Sequence, residues 1–260
     1  METLSDDLLL LSIRSDGAIG TAAKLRFGLS GAELVRLAAL RRVNIERGRI
    51  IILDETPTSD ALLDEALTSM AGGRRPPVAK AWVAHQRGDL TGRYLERLAN
   101  AGTIRAVPRK ALGFIPKTGW TVLDAGRLAA ARARLDAIAS GSVDLDVEQA
   151  ALAGLASAIG LPFLLYPGFA ARAERKRVAA AGKSGGPATH ATKAAADAAS
   201  GTDAALGVAT QAAVSAATYA ATQAAVQASI DAATQAAVSA ATEAAHHAAS
   251  DAGHAGGGHH

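Results

Sequence analysis

The stretch ETPTSDALLDEAL, residues 55–67, places seven carboxyl and hydroxyl side chains close together. Such a cluster fits either a catalytic carboxylate site or a loop that turns into a helix. Pro57 disfavours helical backbone at the residue before it, so a helix can begin only after this point. The stretch therefore predicts Thr58 or Ser59 as the N-cap of a helix, because both side chains can accept a backbone N–H.

The residues after this cap have the spacing of a helix with one apolar face. Asp60 is expected in the first turn, where the helix dipole favours a carboxylate. The neighbours Asp64 and Glu65 point about 100° apart on a helix and do not converge on one substrate atom. A helix start is therefore favoured over a catalytic cluster. The predicted apolar face consists of Leu62, Leu63, Ala66, Leu67 and Met70.

The surrounding sequence indicates a mainly α fold, a compact helical domain with a protruding β-hairpin. Ser5 is expected to cap the first helix, and Ser30 with Glu33 forms a predicted capping box for the second. The β-branched run RIIILDE, residues 49–55, predicts a strand. Further helices are predicted within residues 74–88, 91–102, 124–140 and 146–160, and the hairpin over residues 103–116.

Composition changes sharply after residue 182. We expect a globular domain over residues 1–182, a linker over 183–209 and an Ala-rich tail over 210–260. The tail repeats every 12 residues, starting at Thr210, Thr222 and Thr234. Alanine favours helix, but a 12-residue period does not keep one apolar stripe on a helix. The low-complexity tail is therefore either a fluctuating helix, a disordered segment or a self-associating segment.

Charge and residue usage exclude several classes of function. The net charge is +3, and residues 183–260 hold two lysines against five acids, so the positive excess lies in the first 182 residues. The chain has no cysteine, which excludes disulfides and thiolate metal sites. Phosphate-binding loops and nucleophile elbows are missing from the sequence. His85 is the single histidine before the linker, and a surface role is favoured for it. We therefore expect no enzyme, no cofactor and no metal site.

Two apolar segments bear on targeting. The start of the chain lacks the basic region and cleavage site of a secretory signal. The uncharged run over residues 149–171 is long enough to cross a bilayer, but Pro162, Pro167 and Gly168 interrupt it. A buried core helix that ends near Gly160 is the favoured interpretation.

Five segments together resemble the Golgi phosphoprotein 3 family, in the form common to its bacterial members. They are LSDDLLLLSI, FGLSGAELVRLAALRRVNIERGRIII, TPTSDALLDEAL, PPVAKAW and YLERLANAGTIRAVPRKALGFIP, which cover residues 3 to about 165 and leave the Ala-rich tail outside. The resemblance implies an all-α domain with a hydrophobic β-hairpin. It also implies a non-catalytic peripheral membrane adaptor that binds phosphatidylinositol 4-phosphate and the cytosolic tails of glycosyltransferases.

The lipid site that the resemblance implies is only partly matched. The family's basic turn corresponds to Gly28-Leu29-Ser30-Gly31, where Ser30 replaces arginine, and its tryptophan falls near Thr21. We expect Lys24 and Arg26 of the first loop to supply the positive charge that the family's arginine would provide. The predicted headgroup-binding residues are Lys24, Arg26, Arg87 and Arg93, and the predicted membrane-contacting hairpin residues are Arg109, Lys110, Leu112 and Phe114.

The hairpin sequence gives this role some independent support. Pro108-Arg109-Lys110 is expected to form a basic turn, and cations attract anionic headgroups. Phe114 and Ile115 could equally pack on the domain's own core, and the basic run at residues 172–177 could be a solvated helix face. A nucleic-acid partner is disfavoured because the charge is modest and aromatic and basic residues do not alternate.

Two hypotheses for the function follow. The first is a cytoplasmic protein peripheral to a membrane, whose partners are an anionic phospholipid or phosphoinositide headgroup, the membrane surface and possible protein partners. The alternative is a protein-interaction scaffold that forms a homo-oligomer through its Ala-rich tail.

Overall fold

The computed structural model describes residues 3–73, 75–84, 88–111 and 115–184, together with Gln235. The chain divides into two units, residues 1–221 and 222–260, and every element below lies in the first. The described residues form nine helices and two antiparallel hairpins, which confirms the mainly helical prediction. In chain order the elements are α1 (Leu4–Ser12), α2 (Ala22–Ala39), β1 (Val43–Glu46), β2 (Arg49–Ile52), α3 (Ala61–Ala71), α4 (Ala79–Ala84), α5 (Leu90–Asn100), β3 (Ile104–Ala111), β4 (Ile115–Val122), α6 (Ala125–Ser140), α7 (Val147–Ala158), α8 (Leu161–Leu165) and α9 (Arg172–Ser184).

Helix α1 lies at the centre of the core, and all of its residues are buried. It contacts α2, α5, α6 and α7, as expected for a helix with leucines on every side. Its N-cap is Thr3, whose Oγ1 accepts the N–H of Asp6 at 3.2 Å. The predicted cap at Ser5 is wrong, because the helix begins one residue before Ser5 and includes it.

Helix α2 runs without a break through Gly28-Leu29-Ser30-Gly31, so both the predicted turn and the predicted cap at Ser30 are wrong. Glycine at position 28 serves packing instead. A Cβ there would lie 2.8 Å from Cγ2 of Ile159, the residue that ends α7. Ser30 and Glu33 are buried inside this helix, and the Tyr94 hydroxyl donates to Glu33 Oε1 at 3.3 Å.

Helix α3 confirms the predicted apolar face, since Leu62, Leu63, Ala66, Leu67 and Met70 are all buried. The predicted cap is displaced. Asp60, rather than Thr58 or Ser59, is the N-cap, and its Oδ1 accepts the N–H of Leu62 at 3.1 Å. Ser59 before it has a left-handed φ of 68°.

One hairpin was predicted from the sequence, and of the other only one strand was predicted. The predicted strand at residues 49–55 contains β2, but its partner β1, in register Val43↔Ile52, was not predicted. The second hairpin, β3 with β4, is confirmed in register Ile104↔Val122. The predicted turn at Pro108-Arg109-Lys110 is wrong, because all three residues lie in β3. Both strands of a two-stranded sheet are edges, where proline is tolerated.

Residues 150–162 of the uncharged run form largely buried core structure, whereas Phe163 and residues 167–170 are exposed. Helix α7 ends at Ala158, and Gly160 follows with φ 79°, as predicted. Across residues 3–73, 75–84, 88–111 and 115–184, no helix is long and apolar enough to cross a membrane. Residues 185–260 fall outside the described residues apart from Gln235, so the predicted domain limits and all three alternatives for the tail stay predictions.

Candidate lipid-binding surface

The β3–β4 hairpin gathers basic side chains on one of its faces. Antiparallel pairing places Arg109 directly opposite Lys117, and Arg105 lies on the same face because it is four residues before Arg109 in the strand. We call these three residues the hairpin basic face. Two cations in direct opposition are unfavourable for the sheet itself. The predicted residue Lys110 is exposed but points to the opposite face.

The hairpin is fixed to the domain by the turn at residues 14–20. The Trp120 N–H donates to the Gly17 carbonyl at 2.9 Å. Arg109 donates to Asp16 twice, from Nε to the carbonyl at 3.1 Å and from Nη2 to Oδ2 at 2.9 Å. A Cβ on Gly119 would lie 3.2 Å from the Gly17 carbonyl oxygen, so glycine permits this close approach.

These contacts neutralise part of the hairpin basic face. The pKa of Asp16 is lowered by the hydrogen bond from the Ala18 N–H and by the charges of Arg109 and Arg14, so the carboxylate stays ionised beside Arg109. Arg105 and Lys117 are exposed and form no ion pair within the described residues. An external anion can therefore reach both exposed side chains.

The predicted headgroup residues are not brought together by contacts in the described part of the chain. Lys24 and Arg26 lie in the first turns of α2, where the Arg26 guanidinium stacks 4.4 Å from the Phe27 ring centre. Arg93 on α5 donates from Nη1 to Glu65 Oε1 at 2.5 Å, and this bond raises the pKa of Arg93. Arg87 falls outside the described residues, as do Leu112 and Phe114 of the predicted hairpin set.

Each carboxylate at the start of α3, in the stretch at residues 55–67, accepts hydrogen bonds from other parts of the fold. Asp64 accepts the Thr58 hydroxyl at 2.7 Å and the Thr58 N–H at 2.6 Å, and these bonds lower the pKa of Asp64. Glu65 holds Arg93, and Asp60 Oδ2 accepts Arg36 Nη1 at 3.0 Å. The preference for a helix start over a convergent acid cluster is confirmed.

A buried ion-pair network connects this stretch to the core. Arg97 Nη1 donates to Asp60 Oδ2 at 3.3 Å, and Arg97 Nη2 donates to Asp6 Oδ1. Arg127 Nη2 donates to the other oxygen of Asp6 at 2.6 Å. This network was not predicted from the sequence. Asp6 in a run of leucines was the available signal, because a buried carboxylate needs a charged partner.

Other clusters in the described residues are small. A cavity of about 130 Å³ is lined by Glu55, Pro57 and Asp64, among others, and one of about 70 Å³ by Asp7 and Arg134, among others. No group of three or more potential metal ligands occurs within the part of the chain that the structure describes.

Nine helices and two small antiparallel hairpins within the described residues define a mainly helical class of protein. The chain belongs to the Golgi phosphoprotein 3 (GPP34) family, whose model matches residues 4–255. The matched range extends beyond residues 3–165, on which the resemblance rested, and includes most of the Ala-rich region. This family is not a known enzyme family. A search of curated proteins found no match.

Proposed function

We propose that the protein is a peripheral membrane adaptor that binds anionic lipid headgroups and performs no catalysis. The observation that carries this proposal is the opposition of Arg109 and Lys117 on the hairpin basic face. A like-charge pair costs the sheet stability; Asp16 offsets this cost at Arg109, and an anionic partner beside Lys117 lowers it further. Family membership supports the same function, since the resemblance implies phosphoinositide binding and membrane recruitment.

The expected strength of this surface follows from its charge. Each basic side chain near an anionic bilayer contributes about 1 kcal/mol, so Arg105 and Lys117 together give about 2 kcal/mol, while Arg109 adds little because it is paired with Asp16. That energy corresponds to roughly a thirtyfold enrichment at the membrane, which is weak and reversible. A peripheral adaptor with this surface therefore needs further contacts to stay bound.

Flotation of the full chain with vesicles tests the proposal. We expect the protein to float with phosphatidylcholine vesicles that contain phosphatidylserine or phosphatidylinositol 4-phosphate, and not with phosphatidylcholine alone. Recovery in the soluble fraction with all three compositions would refute the proposal. Stronger flotation with phosphatidylinositol 4-phosphate than with a charge-matched amount of phosphatidylserine would support headgroup recognition beyond charge.

A further inference from the structure

We infer that a second surface, formed around α8 and the start of α9, inserts into the same anionic bilayer; this inference rests on the proposed function. It consists of Phe163, Phe169, Arg172, Arg175 and Lys176, which we call the aromatic–basic surface. The two phenylalanines are 69% and 83% exposed, and among the described residues the next most exposed large apolar side chain, Leu53, is 56% exposed. Half of the chain's four phenylalanines thus face solvent here.

Hydrogen bonds to the rest of the domain fix the backbone that carries these phenylalanines. Tyr166 between them is buried, and its hydroxyl donates to Asp136 Oδ1 at 2.6 Å. Arg132 Nη2 donates to the Leu165 carbonyl at 3.1 Å, and Arg175 Nη1 donates to the Gly168 carbonyl at 2.7 Å. The exposed rings are therefore held in place by specific contacts and do not result from a loose segment.

Each exposed ring lies beside a cation. The Arg175 guanidinium is 5.2 Å from the Phe163 ring centre, and the Arg172 guanidinium is 5.9 Å from that of Phe169. Residues 161–177 contain four basic side chains and one acid, the half-buried Glu174. Apolar rings flanked by long cationic side chains suit an anionic lipid interface, where rings enter the acyl boundary and cations meet headgroups. This charge favours a lipid surface over a neutral protein groove.

The aromatic–basic surface and the hairpin adjoin the same turn. Leu164 of α8 packs against Gly20, where a Cβ would lie 2.6 Å from Leu164 Cδ2. At the other end of the turn, Gly17 accepts the Trp120 N–H of β4. Two weak contacts on neighbouring elements bind one bilayer more tightly than either does alone, because the second contact is intramolecular.

The test compares the full chain with its Phe163→Ser/Phe169→Ser variant in flotation with phosphatidylcholine/phosphatidylserine vesicles. We expect the partition coefficient of the double variant to fall about tenfold, because apolar burial is lost. Leu53→Ser is the matched control, since it also removes an exposed apolar side chain, and its partition should stay unchanged. Unchanged melting temperatures would establish that the variants fold.

A second variant reports insertion directly. In Phe169→Trp the emission of the new indole, which remains after subtraction of the wild-type spectrum with its signals of Trp82 and Trp120, should shift to the blue with anionic vesicles and be quenched by brominated acyl chains. If the wild-type chain floats but the double variant floats equally and the new indole does not respond, the inference is overturned while the proposed function stands. If the wild-type chain does not float, both fail. A fall in solution mass for the double variant would identify a protein interface and also overturn the inference.

Discussion

Arg97 on α5 bonds Asp60, which caps α3, and Asp6, which lies inside α1. The two carboxylate oxygens of Asp60 have different partners. Oδ1 accepts the N–H groups of Leu62 and Leu63 in the first turn of α3, and Oδ2 accepts hydrogen bonds from the guanidinium groups of Arg36 and Arg97. Three segments far apart in sequence are thereby fixed by one guanidinium. Asp60, Asp64 and Glu65 of the stretch at residues 55–67 therefore make contacts that stabilise the fold.

Replacing Arg97 with methionine should lower the free energy of unfolding by about 2–4 kcal/mol, because it strips buried Asp6 of one charged partner. Arg93→Met is the matched control one turn earlier on the same helix. Its pair with Glu65 is exposed, so the loss should stay below about 1 kcal/mol. Urea unfolding followed by circular dichroism measures both values. Equal losses in the two variants would show that the buried network does not stabilise the fold.

Ser59→Gly should stabilise the protein by about 0.5–1 kcal/mol, since glycine adopts a positive φ without the steric cost that serine bears. Ser59 is exposed and its φ is 68°. Ser59→Ala, which keeps the Cβ, serves as the control and should give no gain. The change in thermal midpoint measures the effect, and a destabilising glycine would contradict the left-handed conformation.

Acid should weaken the loop before α3 through Asp64, whose folded-state pKa is lowered by the Thr58 hydroxyl and N–H. A lowered pKa contributes stability above the ordinary value of 3.8 and loses it as pH falls through the folded-state value. Thr58→Val removes the hydroxyl bond and should raise the pKa of Asp64. NMR titration of the Asp64 carboxyl measures this shift. An unchanged pKa in the variant would show that the Thr58 hydroxyl does not lower the pKa of Asp64.

Lys117→Glu should reduce binding to phosphatidylserine vesicles by about thirtyfold, since reversal replaces about 1 kcal/mol of attraction with about 1 kcal/mol of repulsion. Arg47→Glu changes the net charge equally in the β1–β2 connection and should leave binding nearly unchanged. Reversal of Arg109 is a less clean test, because it also breaks the bonds to Asp16 that fix the hairpin. Equal effects of Lys117→Glu and Arg47→Glu would show that vesicle binding depends on the net charge of the chain and not on the hairpin basic face.

Glu65→Gln tests whether Arg93 belongs to a headgroup site. Glu65 accepts a bond from Arg93 and neutralises its charge. Removing the carboxylate should tighten binding to vesicles with phosphatidylinositol 4-phosphate about two- to fivefold, as expected from about 1 kcal/mol of released cationic charge. The double variant Glu65→Gln/Arg93→Gln should lose this gain. Unchanged binding in Glu65→Gln would remove Arg93 from the proposed headgroup residues.

The sequence predicted the helical elements better than their ends. Periodic leucines and alanines identified α3 and α7, because burial of one face determines where such a helix packs. The break predicted at Gly28 and Ser30 failed because glycine in a helix also permits close packing, here against Ile159. No local pattern distinguishes these two uses of glycine.

The surfaces were harder to predict than the elements. Pro108 was predicted to lie in a turn, but it lies inside strand β3. The strand's alternation of side chains between two faces, which places Arg105 and Arg109 on one face, was therefore not predicted. The exposure of Phe163 and Phe169 depends on how Tyr166 is anchored to Asp136, 30 residues earlier in the chain. Likewise, the partners of Asp6 lie 91 and 121 residues away, so only the folded chain reveals them.

The salt dependence of vesicle binding tests the central claim most directly. Flotation of the full chain with phosphatidylcholine/phosphatidylserine vesicles should fall severalfold as ionic strength rises, because salt screens exposed charges such as Arg105 and Lys117. The residual binding at high salt should be the part that Phe163→Ser/Phe169→Ser removes. Binding that is absent at low salt, or that is equally strong with neutral vesicles at every salt concentration, would contradict an anionic-membrane adaptor.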